Sequence, residues 1–254
     1  MCLILFAHRA SAEYPLLVAA NRDEFHARPT AASDFWQEHP GVLAGRDLEA
    51  GGTWMGISAD RRFAAVTNYR DPQRTAPAPR SRGELTSLYL TGDQSPRDYL
   101  LELEDRADDY AGFNLLLGDG KDLWYFSNQR TGNGGPRALA PGIYGLSNAA
   151  LDTPWPKVTR GKQALQQLLA GAPTHERLAV TVSDRELATP GQLSGQGLHG
   201  EMDQLLSAQF IVNPTYGTRA TTTLWQDATG RRHWRETSFA PTGEPSGAVE
   251  KVVP

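Results

Sequence analysis

The sequence predicts an α+β fold in which antiparallel sheets are stacked and helices lie outside them. Strand-like apolar runs joined by short turns surround a central block of helical patterns in the 254-residue chain. No break in composition divides the chain and no internal repeat is present, so we expect one domain over residues 1–240. Beyond Ala240 the sequence is rich in proline, glycine and serine, which predicts a flexible C-terminal tail over 241–254.

The predicted strands form hairpins, because paired apolar runs flank short polar turns. A strand over 142–146 stands alone and ends at Ser147-Asn148. The predicted hairpins pair 2–9 with 15–22, 53–58 with 63–69, 113–117 with 123–126, and 221–226 with 232–237.

Capping signals place the helices. Ser81 and Glu84 have capping-box spacing ahead of Leu85, Leu88 and Leu90, which predicts a first helix. Ser95-Pro96 offers an N-cap followed by proline, which predicts a second helix through about Tyr110. A third helix is predicted over 157–169, closed by Gly171. Residues 174–183 fit either a strand or a helix, and residues 71–83, with three prolines and three arginines, predict a loop.

Composition excludes several classes of protein. A net charge of −4 gives no global reason to expect nucleic-acid binding. A single cysteine excludes an intrachain disulfide and a cysteine-pair zinc site, and the six histidines show no metal-ligand spacing, so we expect no metal. No apolar run approaches the ~20 residues that span a bilayer, and the N-terminus lacks a signal-peptide pattern, so we expect a cytoplasmic protein.

The lone cysteine is the strongest functional signal, because it is the second residue. Aminopeptidases remove Met1 when the next side chain is small, and Cys2 is small enough. Removal leaves a thiol, with a pKa of about 8.5, beside a free α-amine, with a pKa of about 8, which makes a nucleophile with its own base. The alternative is a small apolar residue that begins a buried strand.

Four other residues fit acyl-transfer chemistry. Asp23 follows the second strand, where it can bind the Cys2 ammonium, although aspartate after a strand more often bonds its own turn. Asn68 and Asn148 lie at strand ends and can donate to an oxyanion, although asparagine is also common in turns. Arg219 can stabilise a thiolate or pair with Asp23, and alone it reads as a surface arginine.

Five blocks in this order resemble the NRDE family, which also contains the eukaryotic transport and Golgi organisation protein 2. The resemblance runs from Met1 to about Leu224. The blocks are Asn21-Arg22-Asp23-Glu24, Gly51 to Ile57, Val66 to Arg70, Gly145 to Asn148 with Thr153 to Lys157, and Tyr216 to Arg219.

The NRDE family is in turn similar to N-terminal-nucleophile hydrolases of the choloylglycine and penicillin V acylase kind. This resemblance implies a four-layer αββα sandwich, with Cys2 as the nucleophile and Asp23 as the carboxylate that binds its amine. It also implies an arginine near the thiolate at Arg219. The acylases carry a further arginine shortly before the aspartate, and Ala20 occupies that position here. Arg22 is the nearest substitute, but adjacent strand residues point to opposite faces, so we expect a less activated thiolate.

The same resemblance gives the oxyanion hole to the Asn68-Tyr69 segment and to Asn148. Arg22, Tyr69 and Arg70 adjoin these positions and are the candidates for substrate contacts. Four arginines bracket the proline-rich loop beside Asn68, either as a solvated loop or as an anion-steering lid. They are Arg70, Arg74, Arg80 and Arg82.

Two functions from different classes follow from the resemblance. The first is a cysteine hydrolase that cleaves the carbon–nitrogen bond of a small-molecule amide and needs no cofactor. The second is a carrier, since members of the family are implicated in moving haem and acyl lipids. A thiolate or a histidine can ligate haem iron, yet the sequence has no haem motif.

We predict that the mature protein begins at Cys2. An intact-mass measurement on protein from its native host checks this, and the expected mass lacks one methionine. Retention of methionine in most molecules would mean that Cys2 has no free α-amine, which would favour the carrier function over the hydrolase.

Overall fold

A computed structural model describes residues 2–70, 77–129, 135–195 and 199–254 of the chain. Met1 and residues 71–76 of the predicted loop, including Arg74, lie outside the described residues. The strands are β1 (Cys2–His8), β2 (Leu16–Phe25), β3 (Thr30–Phe35), β4 (Val42–Asp47), β5 (Met55–Ser58), β6 (Phe63–Asn68), β7 (Phe113–Gly118), β8 (Leu123–Ser127), β9 (Arg137–Ala138), β10 (Gly142–Leu146), β11 (Tyr216–Gln226), β12 (Arg232–Phe239) and β13 (Pro245–Val253). The helices are α1 (Gly83–Thr91), α2 (Pro96–Glu104), α3 (Pro156–Leu168), α4 (His175–Val180), α5 (Pro190–Ser194) and α6 (Glu201–Leu205), with a 3₁₀ turn over Ala107–Asp109.

The chain forms two compact units. Unit 1 comprises the described residues of Met1–Ala27, Pro141–Ser147 and Leu151–Pro254, and unit 2 comprises those of Arg28–Ala140 and Asn148–Ala150. The prediction of a single domain over 1–240 remains a prediction. Among the described residues, no helix combines the length and the apolarity that crossing a bilayer requires.

Unit 1 is built on a six-stranded antiparallel sheet in the order β10-β1-β2-β11-β12-β13. Alternate residues of β1 and β2 point to the same face, and on one face they are apolar and fully buried against α3 and α4. Leu3 and Leu5 of β1 meet Val158 and Leu165 of α3 in this core. The core therefore fixes α3 beside the strand that begins with Cys2.

Unit 2 is built on a seven-stranded antiparallel sheet in the order β3-β4-β5-β6-β7-β8-β9. Helices α1 and α2 pack on it through a second apolar core, in which Leu85, Leu100 and Phe113 are fully buried. The sheets of both units thus carry helices, and the predicted α+β class with two antiparallel sheets flanked by helices is confirmed.

All four predicted hairpins form, and the strand over 142–146 is β10, which pairs with β1. Ser95 caps α2 as expected, since its side chain accepts a hydrogen bond from the Asp98 backbone N–H. The ambiguous segment 174–183 contains helix α4, capped by Thr174.

Several expectations were wrong. The expected tail over 241–254 instead forms β13, which pairs along β12, because Val249, Val252 and Val253 supply β-branched strand formers within the polar composition. Helix α1 begins at Gly83, so Ser81 does not cap it, and α2 ends at Glu104. Strands β3 and β4 have no counterpart among the predicted elements. Half of the residues of β3 are polar and only one of its six residues is buried.

Glycines allow α3 to lie close to the sheet of unit 1. A Cβ atom at Gly161 of α3 would lie 2.3 Å from Cδ1 of the fully buried Leu5, and one at Gly145 of β10 would lie 2.6 Å from Cγ1 of Val158. Both distances are shorter than any ordinary van der Waals contact. The close packing at these two glycines therefore fixes the position of α3 on the sheet.

We expect Gly161→Ala to lower the free energy of unfolding by about 1–2 kcal/mol, because overpacking a core costs ~1–3 kcal/mol and the helix preference of alanine recovers at most about 1. Chemical denaturation measures it. Gly191→Ala is the matched control, since a Cβ there meets nothing within 4 Å. Equal stability of the two variants would contradict the close packing.

Candidate active site

Cys2 is held at the beginning of β1 by its neighbours in the sheet. It lies directly opposite Arg22 in the antiparallel pairing of β1 with β2. Its side chain is buried, and its carbonyl accepts a hydrogen bond of 3.0 Å from the Ser147 hydroxyl, at the end of β10. The Asp23 backbone N–H donates to the Cys2 thiol. Contacts from both neighbouring strands thus hold Cys2 in place.

Asp23 lies near the end of β2, between β1 and β11, and its residue surface is only 2% exposed. Its partner across the strands is Thr218, whose hydroxyl donates to Asp23 Oδ1 at 2.7 Å. The Tyr216 hydroxyl donates to the Asp23 backbone carbonyl at 2.9 Å. Asp23 is therefore a buried carboxylate in the sheet and does not have the exposed turn position that was its alternative.

The pKa values of these groups follow from their burial. Burial raises the pKa of the Cys2 thiol, and Asp23 raises it further, while Arg22 and the Asp23 backbone N–H lower it. Burial raises the pKa of Asp23 from 3.8 to about 6, against the opposing effects of Lys157, Thr218 and Arg22. A protonated thiol needs a base before it attacks a carbonyl, so this arrangement calls for an adjacent proton acceptor.

Arg219 lies at an irregularity of β11. The register with β2 shifts between Thr218 and Ala220, which leaves Arg219 as the extra residue of a β-bulge. Its guanidinium donates to the Phe25 backbone carbonyl at 3.0 Å. Burial lowers the pKa of Arg219, and the nearby charge of Arg22 lowers it further. The structure therefore brings Arg219 to the end of β2, and its role at the thiolate remains a prediction.

Arg22 occupies the face of the sheet that carries the Cys2 side chain, as their cross-strand pairing requires. It is buried and forms an ion pair of 3.8 Å with Glu24, two residues along the same face. The expectation that Arg22 and Asp23 point to opposite faces agrees with this pairing. Arg22 is thus a cation on the thiol side of the strand, where Glu24 is its ion-pair partner.

Sequence reasoning missed Lys157. It was noted only as part of a family block and as the first residue of a predicted helix, and no short-range pattern relates it to Asp23. In the structure its residue surface is 1% exposed, and its ammonium donates to the Leu206 carbonyl at 2.8 Å. Burial lowers the pKa of Lys157, whereas the charges of Asp23 and Cys2 raise it. Lys157 is therefore a buried group whose pKa depends on the charges of Asp23 and Cys2.

In unit 2, Asn68 and Asn148 are brought together. Asn68 ends β6 with an exposed side chain, and Asn148 is buried. The Asn148 side-chain amide donates to the Asn68 backbone carbonyl at 2.8 Å, and the Arg70 backbone N–H donates to the Asn148 carbonyl at 2.8 Å. These bonds fix the end of β6 against the segment that follows β10.

The Tyr69 backbone N–H already donates to the Gly112 carbonyl at 2.8 Å. Within the Asn68-Tyr69 segment, an oxyanion donor therefore has to be a group other than this N–H, such as the Asn68 side-chain amide or the Tyr69 hydroxyl. Two of the loop arginines also have contacts within the unit, since Arg80 pairs with Glu84 and Arg82 donates to the Gly112 carbonyl. For these two residues the contacts favour a structural reading over an anion-steering lid.

Of the predicted catalytic residues, Cys2, Asp23 and Arg219 thus lie together in unit 1, and Asn68 and Asn148 lie together in unit 2. Convergence of all five on one pocket remains a prediction.

Known proteins resemble this one over nearly the whole chain. The family model described as Transport and Golgi organisation 2 matches residues 1–241. The chain is 38% identical over 260 residues to a Transport and Golgi organization protein 2 homolog of Bos taurus, covering 94% of this chain and 93% of that protein. It is 36% identical to the Homo sapiens homolog over the same shares of both chains, and 27% identical to the Drosophila melanogaster protein, covering 96% and 95%.

Among solved structures, the chain is similar to the Caenorhabditis elegans N-acylethanolamine-hydrolyzing acid amidase ortholog. The TM-score is 0.50 and the sequence identity 10%, over 88% of this chain and 92% of that chain. That protein is an N-terminal-nucleophile hydrolase, so the fold of this chain is of that class. At such low identity the similarity is one of fold alone.

We expect the stability of the protein to fall as pH rises from about 4 to 6 through Asp23. Between 3.8 and about 6 the folded protein binds more protons at Asp23 than the unfolded chain, so the free energy of unfolding decreases with pH there, by up to about 3 kcal/mol. Asp23→Asn removes this contribution. The free energies of unfolding of both proteins are measured across this range. Between pH 4 and 6, the wild type should lose up to about 3 kcal/mol relative to Asp23→Asn.

Asp227→Asn is a control of opposite sign. The Thr229 hydroxyl and His233 hold the pKa of Asp227 down at about 2, so its stabilisation is present above 3.8 and is lost as pH falls through 2. A pH-independent difference between the wild type and Asp23→Asn would contradict the burial of a titrating carboxylate.

Proposed function

The chain belongs to the Transport and Golgi organisation 2 family, and from that premise we propose that it is an amide hydrolase of the N-terminal-nucleophile type with Cys2 as its nucleophile. The observation that supports the proposal most is the pairing of Cys2 with a buried Asp23 whose backbone N–H donates to the thiol. Buried groups with shifted pKa values concentrate at catalytic sites. The fold class of the chain agrees with such chemistry.

In the proposed reaction, the free α-amine of Cys2 accepts the thiol proton as sulfur bonds to the amide carbon. Asp23 orients this amine, since its carboxylate is held in the sheet by Thr218. The amine then passes the proton to the leaving nitrogen, the carbon–nitrogen bond breaks, and a thioester remains on Cys2. Water hydrolyses the thioester, which releases the acid and restores the thiol.

The developing oxyanion needs uncharged hydrogen-bond donors that are fixed before the reaction. The family resemblance assigns them to Asn148 and to the Asn68 segment. The bond of Asn148 to the Asn68 backbone carbonyl supports a fixed orientation for the Asn148 amide. An asparagine amide carries two N–H donors, so holding a carbonyl and serving an oxyanion are compatible tasks for one side chain.

The first substrates to test are small acyl amides. The fold neighbour is described as an N-acylethanolamine-hydrolyzing amidase, which makes an N-acylethanolamine series of increasing acyl length a natural panel. Arg22, Tyr69 and Arg70 remain the proposed substrate contacts.

We expect Cys2→Ala to abolish amide turnover, by at least about a thousandfold, while folding stability falls by no more than about 1 kcal/mol. Only the covalent step is lost in this variant, so affinity for the substrate is retained. Turnover of the acyl-amide panel and haem titration, run in parallel on both proteins, measure the outcome. Ser183→Ala, which truncates an exposed hydroxyl in the same unit, is the control for substitution away from the site.

Unchanged turnover in Cys2→Ala would contradict the proposal. A shift of the haem absorption spectrum with weakened haem binding would instead indicate a carrier that uses the thiolate as an iron ligand.

A further inference from the structure

A buried asparagine lies inside the sheet of unit 2. Asn114 of β7 is fully buried and lies directly opposite Thr67 of β6 and Ser127 of β8. Its neighbours along the same face, Leu116 of β7 and Ala65 of β6, are apolar and fully buried. An apolar side chain at position 114 would avoid the cost of removing an amide from water. The polar group of Asn114 therefore requires an explanation beyond the pairing of the strands.

The hydrogen bonds of Asn114 provide this explanation. Its Nδ2 donates to the Ala149 backbone carbonyl at 3.0 Å and to the Thr67 hydroxyl at 3.1 Å. Its Oδ1 accepts a hydrogen bond of 2.7 Å from the Tyr125 hydroxyl. Because a backbone carbonyl can only accept, the nitrogen end of the amide has to face Ala149. Both ends of the amide are thus engaged, and one of them holds a backbone group outside the sheet.

That backbone group belongs to the short segment that carries Asn148. Residues 148–150 follow β10, lie outside the strands and helices, and are part of unit 2. The Arg70 backbone N–H donates to the Asn148 carbonyl at 2.8 Å, and Asn114 donates to the next carbonyl, that of Ala149. Bonds to two successive carbonyls fix the orientation of the peptide units that follow the Cα atom of Asn148.

The two bonds differ in their surroundings. Arg70 is exposed and lies beyond the end of β6, whereas Asn114 is fully buried inside the sheet. Water competes less with a hydrogen bond in a buried setting, where the bond is also electrostatically stronger. The bond from Asn114 is therefore the firmer of the two. Its loss would loosen the segment from which the Asn148 side chain donates to the Asn68 carbonyl.

We propose that Asn114 is a positioning residue for Asn148, because through the Ala149 carbonyl it holds the Asn148 amide in the orientation that an oxyanion needs. The role in hydrolysis rests on the proposed function, whereas the restraint on the Asn148 amide does not. The oxyanion forms only as sulfur bonds to the carbonyl carbon. A misplaced donor therefore raises the barrier to that step and leaves substrate binding little changed.

The first test follows the Asn148 amide in the absence of substrate. In protein labelled with ¹⁵N asparagine, the side-chain resonances of Asn148 are identified by their loss in Asn148→Ser. We expect these amide protons to exchange with water about tenfold faster or more in Asn114→Leu, which has a similar volume and no hydrogen-bonding group. An unchanged exchange rate in folded Asn114→Leu would overturn the proposal.

Tyr99→Phe is the control for loss of a buried hydrogen bond in the same unit. The Tyr99 hydroxyl donates to the Leu85 carbonyl at 2.8 Å within the core that contains the helices, so its removal should leave the exchange of the Asn148 amide unchanged. Should Asn114→Leu not fold, Tyr125→Phe replaces it, because it removes only the hydroxyl that donates to Asn114. Exchange of the Asn148 amide should then be faster in Tyr125→Phe than in Tyr99→Phe, and equal rates would contradict the proposal.

The second test is amide turnover. We expect kcat for the acyl-amide panel to fall about tenfold or more in Asn114→Leu while KM changes by less than about twofold, since the oxyanion is present only in the transition state. Asn114→Asp provides a rescue of similar shape. Its carboxyl group can donate to the Ala149 carbonyl only when protonated, so kcat relative to the wild type should rise as the pH falls. A kcat that stays equally low at every pH would contradict the role of this hydrogen bond.

The two tests together separate this inference from the proposed function. Faster exchange of the Asn148 amide in Asn114→Leu, without turnover in the wild type, supports the restraint by Asn114 and contradicts the hydrolase. Faster exchange with a lowered kcat supports both. Turnover in the wild type with an unchanged kcat in folded Asn114→Leu contradicts the role of Asn114 in hydrolysis.

Discussion

The burial of the Asp23 carboxylate, on one face of the sheet, is the constraint on which the rest of the site in unit 1 depends. Removing a carboxylate from water is costly, so the groups around it have to compensate. Thr218 supplies a hydrogen bond across the strands, and Lys157 supplies a charge from the helix. Asp23 also donates its backbone N–H to the Cys2 thiol, so one position of β2 links Cys2 to the helical layer.

The strand register places Cys2 and Asp23 on opposite faces of the sheet. Cys2 and Arg22 share one face, and Asp23 shares the other with Asn21, which is tied to α3 through Gln209. The thiol therefore contacts Asp23 through the Asp23 backbone N–H, not side chain to side chain. In this arrangement the carboxylate can orient the amine without blocking the approach of a carbonyl to sulfur.

Much of the fold was predictable, because hairpins are local: the strands of Cys2 and Arg22 are apolar runs separated by a short turn. The family resemblance also indicated Asp23. Lys157 was not predictable, since 134 positions separate it from Asp23 and only the packing of α3 on β1 brings them close. Strand β13 was missed because the proline, glycine and serine residues around its valines indicated a tail.

The account depends most on the α-amine of Cys2 acting as the base for its own thiol. The direct measurement is the rate of Cys2 alkylation by iodoacetamide against pH, in protein that begins at Cys2 and in protein with Met1 retained. The account predicts faster alkylation near neutral pH when the amine is free, and loss of this advantage in Asp23→Asn. Equal rates for the two N-termini across the pH range would contradict it.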